Sequence, residues 1–210
     1  MSYVLHRWQA ACAAASALAI ASASLGGCAG AQPMPPETTH AAPDTQRSMR
    51  ETLAWQGRLA VQYEQNGKPQ SLTANFSWLQ ETSQTRIQLS SPTGQILADI
   101  IVTPEFASYT QAGQVTRSFA NIDQLTKELL GWPLPVAGLR EWLQGFGVDA
   151  KGQRFIAIAG QDQTWQTHDG WRIRYASWHD TSQPKRIDLE RHIDAQAIDV
   201  SLRIVLEPQS

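Results

Sequence analysis

The one side chain in this sequence placed for covalent chemistry is Cys28. It follows Leu25-Gly26-Gly27 at the end of an apolar, Ala- and Ser-rich stretch headed by His6 and Arg7. A short positive head, an apolar middle and small residues before a cut describe an export signal. A Cys directly after Leu-Gly-Gly resembles a bacterial lipobox. The thiol would take a diacylglycerol, cleavage would fall between Gly27 and Cys28, and the new amine would be open to acylation. An uncleaved span over residues 9–27 is the alternative, since a bilayer takes about 20 apolar residues. That stretch is poor in Leu, Ile and Phe and is diluted by Gln9, Ser16, Ser22 and Ser24. The mass of the mature N-terminus decides between them.

Other reactive groups are sparse. His40, His168, His179 and His192 show no helical i, i+4 pair and no carboxylate in a metal-ligating pattern with them. There is no Gly-x-Ser-x-Gly elbow and no phosphate-binding Gly loop. Glu51, Glu81, Asp99, Asp123, Glu128 and Glu141 are scattered. Cys12 lies in the signal, so the mature domain keeps no thiol for a disulfide, a Cys-ligated zinc or a nucleophile. The expectation is a protein without catalytic residues, metal or cofactor.

Charge narrows the partners. The chain carries 17 basic and 19 acidic residues, and the signal removes only Arg7. A balance so near zero argues against nucleic acid and predicts no polybasic face for anionic lipid. Tryptophan stands out instead. Of eight, all but Trp8 follow Cys28: Trp55, Trp78, Trp132, Trp142, Trp165, Trp171 and Trp178. Such rings either fill a core or line an apolar cavity.

These residues need elements to position them. Residues 1–27 read as the signal peptide. Residues 28–48 hold Cys28, then Ala29 rather than an inner-membrane-retaining Asp, then Pro33, Pro35, Pro36 and Pro43 in a flexible linker. Residues 49–210 read as one domain. Its first part has period two: Leu53, Trp55, Leu59, Val61 and Tyr63 share a face opposite Gln56, Arg58 and Gln62. Asn66-Gly67 marks a hairpin turn. Leu72, Ala74, Phe76 and Trp78 alternate next, then Ile87 and Leu89, then Ile96, Ala98, Ile100 and Val102. Strands follow near 106–110 and 115–119.

The period then changes. Asn121 can cap a helix with Gln124 three residues on, and Ile122, Leu125 and Leu129 form its stripe. Gly131 is a stop, Trp132-Pro133-Leu134-Pro135 cannot be helical, and a second short helix holds Leu139, Trp142 and Leu143. Strands resume near 154–159, at 164–168 and 171–175 about Asp169-Gly170, and at 186–191 and 198–206. The expected fold is mainly β: a largely antiparallel sheet of about ten or eleven strands that should curl toward a barrel. The helix pair at 121–145 is the available cover for its apolar inner face.

Several segments, in order, resemble the LolB family of outer-membrane lipoprotein receptors. They are Trp55-Gln56-Gly57-Arg58-Leu59-Ala60-Val61, Ala74-Asn75-Phe76-Ser77-Trp78, Leu89-Ser90-Ser91-Pro92-Thr93-Gly94-Gln95 and, most specific, the run from Gly131 through Trp132-Pro133-Leu134-Pro135 to Gly145. Asp169-Gly170-Trp171 and the Pro184–Leu189 strand fit as well. The resemblance implies a LolA/LolB-like incomplete barrel with a helical lid and an apolar cavity for acyl chains. It implies that triacylated cargo lipoproteins arrive from a LolA-type periplasmic carrier, without ATP, and pass into the inner leaflet of the outer membrane. The protein would be a lipid-anchored monomer facing the periplasm. Cavity candidates are Leu59, Val61, Phe76, Trp78, Leu89, Ile100, Trp132, Leu139 and Trp142, none of them charged.

One departure matters. The family carries an exposed Leu between Pro and Gly that helps deliver cargo to the membrane, and here the loop is Pro92-Thr93-Gly94. Thr93 is a poorer lipid wedge, and Ile96 or Leu97 just downstream could substitute. A structural lipoprotein or scaffold whose Trp-rich sheet is only a core is the competing expectation. A tethered periplasmic hydrolase is disfavoured by the missing nucleophile motifs.

Overall fold

A computed structural model describes residues 47–65, 67–194 and 198–209. The expected signal, Cys28 and the linker as far as residue 46 lie outside the described residues.

The alternating segments become strands: β1 (Leu53–Gln65), β2 (Lys68–Gln80), β3 (Thr85–Ser90), β4 (Ile96–Val102), β5 (Ala107–Gln111) and β6 (Arg117–Phe119). Two helices follow, α1 (Ile122–Leu130) and α2 (Val136–Trp142). Then come β7 (Phe146–Val148), β8 (Arg154–Ile156), β9 (Thr164–Gln166), β10 (Arg172–Trp178), β11 (Pro184–Ile193) and β12 (Ile198–Leu206). Ten strands form one antiparallel sheet in the order β6-β5-β4-β3-β2-β1-β12-β11-β10-β9. Strand β6 does not pair with β9, so the sheet stays open, as the resemblance implies. β7 and β8 make a separate two-stranded ribbon, of which the sequence marks β8, near 154–159, and not its partner β7.

Register follows from pattern. β1 and β2 pair from Leu53↔Gln80 to Gln65↔Lys68, so both apolar sets face the same way. Gly57 is required on that face. A Cβ there would lie 2.2 Å from the Val205 carbonyl oxygen and 3.0 Å from the Phe76 ring. The missing side chain lets Phe76 lie across β1.

The helical segment is stitched by its own sequence. The Asn121 side chain accepts from the Gln124 N–H at 2.9 Å, and Gly131 ends α1 at φ 85°. The Thr126 hydroxyl donates back to the Ile122 carbonyl at 3.1 Å and accepts from the Leu134 N–H at 2.9 Å, which ties the Trp-Pro-Leu-Pro turn to α1. In α2, a Cβ at Gly138 would lie 2.6 Å from the Trp142 ring, so that ring folds back over a glycine.

At the end of the sheet where β1 begins, Gln144 accepts from the Arg50 N–H at 2.8 Å and donates to the Arg50 carbonyl at 3.1 Å. Buried Gln80 donates to the carbonyls of Arg50 and Glu51. Arg47 donates to the carbonyls of Ser182 and Ala157 and lies over the rings of Phe146 and Trp178. The chain is thus bound into the domain from Arg47 onward.

Candidate functional site

The strand register gathers the expected apolar residues on one face. Trp55 faces Trp78 and Gly57 faces Phe76 across β1–β2. Phe76 faces Leu89 and Trp78 faces Ile87 across β2–β3, and Ile87 faces Ile100 across β3–β4. The helical segment supplies Trp132, Leu139 and Trp142 from above. Val61, Phe76, Trp78, Trp132, Leu139 and Trp142 are buried, and Leu59, Leu89 and Ile100 are half-buried against the same cluster. Side chains of the helical segment, Leu125, Trp132 and Leu143 among them, fill part of the interior beside those of the strands.

Burial across this face is uneven. On the C-terminal half, Ile173, Ile187 and Leu189 are completely buried and Leu202 and Ile204 nearly so. On the N-terminal half, Leu59, Leu89, Ile100 and Tyr109 are only partly covered, and Leu72 is 37% exposed. Leu129, Leu130 and Leu134 of the helical segment are partly covered too. The C-terminal half is the more fully sealed, while α1 packs against β5 and β6 at the other edge, over a face where Phe76, Trp78, Ile87 and Ala98 are also buried.

Aromatic contacts hold the sealed half. The Trp132 ring meets Tyr63 edge-on at 5.9 Å and Trp171 at 6.3 Å, bridging β1 and the start of β10. Trp165 stacks on Phe155 at 4.7 Å. The Tyr175 hydroxyl donates to the Trp142 carbonyl at 3.0 Å. Burial pushes the Tyr175 phenol far above its usual range, against a smaller opposing pull from Arg47, so it stays a donor. Sequence reasoning missed Trp171, Tyr63 and Tyr175 as partners of the lid, because no local pattern marks them.

The β3–β4 loop lies apart from the cluster. Pro92, Thr93 and Gly94 are exposed. The Thr93 hydroxyl is 2.8 Å from that of Ser91, and Gly94 takes a positive φ of 89°. Ile96 follows, exposed, opposite Ser90 at a bulge that interrupts the alternation of Ala98 and Ile100. Leu97 is half-buried on the opposite face. Among the described residues no group of histidines, cysteines and carboxylates could hold a metal, and no helix is long and apolar enough to cross a membrane.

A model of the family described as outer membrane lipoprotein LolB matches residues 51–208.

The chain belongs to the LolB family.

Individual relatives agree. An outer-membrane lipoprotein LolB of Cupriavidus taiwanensis is 33% identical over 162 residues, covering 73% of this chain and 79% of its own. The LolB of Ralstonia nicotianae is 29% identical over 199 residues, covering 90% and 93%. The LolB of Thiobacillus denitrificans is 32% identical over 169 residues, covering 80% and 85%. The family-like run at 131–145 is the lid itself, from the turn that carries Trp132 to the end of α2.

Two features depart from the expectation for this LolB-family domain. The inner face is not wholly apolar. Arg191 stands on it, opposite Val200 and between buried Leu189 and Ile193, with its guanidinium 5.9 Å above the Trp171 ring. The outer face, in turn, gathers arginines. Arg174, Arg186 and Arg203 all hydrogen-bond Asp188 at 2.8–3.1 Å, and exposed Arg58 lies in the neighbouring row. A net charge near zero sums over the whole surface, so it could not reveal this segregation. A groove of about 940 Å³ near the far end of β1 and β2 is lined by Arg191 with Tyr63, Glu190, Val200 and Ser201 among others, and is of mixed polar and apolar character.

Proposed function

We propose that this protein, anchored by acyl groups on Cys28, faces the periplasm from the outer membrane. There it receives triacylated lipoproteins from a LolA-type carrier and releases them into the inner leaflet. The observation that carries this is the uneven burial of the inner face. Acyl chains entering beside α1 over strands β1–β4 would meet Leu59, Leu89 and Ile100, then Phe76 and Trp78.

The energetics favour such a hand-over. Each buried methylene is worth about 0.8 kcal/mol, so an acyl chain released into a bilayer gains far more than a small protein site can offer. Transfer then runs downhill with no ATP at this step, provided each acceptor offers more or better-packed apolar surface than the donor. The lipid anchor keeps the receptor at its target leaflet, and a Pro-rich tether leaves it room to meet the carrier.

The packed interior also supports a second reading, a structural outer-membrane lipoprotein without acyl transfer. Depletion in the parent bacterium tests the first. Cargo lipoproteins should accumulate in the periplasm or inner membrane, and normal localisation would sink the receptor function. Binding of bis-ANS separates the two. A receptor takes it up stoichiometrically and yields it to acylated cargo, whereas a solid core does neither.

A further inference from the structure

Beneath the lid lie hydrogen-bond donors without acceptors. Trp132 and Trp171 are completely buried, with rings 6.3 Å apart, and neither indole Nε1–H has a partner among the described residues. Arg191 adds its guanidinium above Trp171, on the inner face of β11. No ion pair engages it among the described residues. The other buried indoles without partners, Trp55 and Trp178, lie at the opposite end of the sheet, where Arg47 is bound.

A buried donor left unpaired is costly, and nearly all such groups in folded proteins find an acceptor. Binding a pure hydrocarbon would not supply one. The head of an acylated cysteine would: its ester and amide carbonyls are acceptors only, joined directly to the chains that the apolar face can bury. Guanidinium and indole are donors only.

We infer that Arg191, with the indole N–H groups of Trp171 and Trp132, binds the carbonyl oxygens at the head of ester-linked acyl chains. This rests on the acyl-receptor function proposed above and gives it a polarity. The chain heads are held near the β10–β11 end beside Trp171, and the hydrocarbon runs over β1–β4. The same carbonyl chemistry occurs in cargo lipoproteins and in membrane phospholipids.

The test uses the full lipidated protein in lipid nanodiscs and water-soluble ligands. One is a cysteine peptide carrying hexanoyl ester and amide groups. A second has the same hydrocarbon in ether linkage, without the ester carbonyls. Calorimetry should show the ester form bound about tenfold more tightly. Arg191→Met and Trp171→Phe should bring that ratio toward one by weakening the ester form far more than the ether form, which keeps only the amide carbonyl. Trp171→Phe keeps an aromatic ring and removes the N–H together with part of the bicyclic ring. Equal binding of both forms by the unaltered protein, or a ratio untouched by both substitutions, overturns the inference and leaves the receptor function standing. Binding of neither form overturns that function, and the inference with it. Dihexanoyl phosphatidylcholine in a parallel titration identifies the source. Preference for the cysteine peptide assigns the site to cargo, and equal affinity, lost in the same variants, assigns it to phospholipid.

Discussion

The Tyr175 hydroxyl of β10 donates a 3.0 Å hydrogen bond to the backbone carbonyl of Trp142, the last residue of α2. It joins the sealed half of the sheet to the lid in a fully buried setting. The same carbonyl accepts from the Gly145 N–H at 3.0 Å, so losing the hydroxyl strands no acceptor. Tyr175→Phe is therefore expected to cost about 1 kcal/mol in urea denaturation. It should also speed uptake of bis-ANS, because the lid opens more easily. A lowered midpoint with unchanged uptake would mean that the lid does not move at this contact.

Burial separates residues that can be probed from residues that cannot. Leu89 is half-covered on the less sealed side of the sheet, whereas Trp142 is buried. Leu89→Glu should leave circular dichroism and the denaturation midpoint nearly unchanged while weakening acceptance of acylated cargo at least tenfold. Trp142→Glu should instead lose about 3–5 kcal/mol or more, from the emptied ring site and an unpaired buried carboxylate. If Leu89→Glu accepts cargo normally, the partly covered face is not the entry.

The β3–β4 loop should govern release, not acceptance. Thr93 is exposed, and its hydroxyl is engaged by Ser91, so nothing in the fold resists a larger apolar side chain there. Thr93→Leu should leave transfer from the carrier unchanged and make membrane insertion equal or faster. Ile96→Ser should slow insertion, since Ile96 is an exposed apolar side chain beside the loop. Slower insertion by Thr93→Leu would count against a wedge at this loop.

Asp188 makes stability depend on acid. Burial alone would raise its carboxyl, but hydrogen bonds and charge from Arg186 and Arg203 outweigh that and hold it below its usual range. A depressed carboxyl adds stability above its unfolded value, 3.8, and loses it as pH falls through the lower folded value. Asp188→Asn should therefore be less stable than the unaltered protein at neutral pH, and the gap should narrow below about pH 4. Urea midpoints across that range check it; a gap independent of pH would mean that the carboxylate's charge is not what holds the arginines.

Much of this architecture was legible in residue order. Alternation through Trp55, Leu59 and Val61, and through Phe76 and Trp78, assigns faces because a strand has period two and a slip of one residue would expose the whole set. Asn66-Gly67, Asn121 and Gly131 mark a turn, a cap and a stop through local backbone chemistry. The Trp-Pro-Leu-Pro turn and the order of motifs point to the family, and Cys28 after Leu-Gly-Gly points to the membrane.

Other features exist only once the sheet curls. That Trp132 lies between Tyr63 and Trp171, that Tyr175 reaches Trp142, and that Arg47 stitches the ends of several elements together are contacts between residues far apart in the chain. Pairing β1 with β12 brings Arg58 beside the Asp188 arginines, which net charge had averaged away. Alternation could place Arg191 on one face of β11 but could not say that this face is the interior above Trp171. Which half of the apolar face is less covered depends on where a short lid lands on a twisted sheet. The packing of side chains from both ends of the sequence decides that, and no local pattern encodes it.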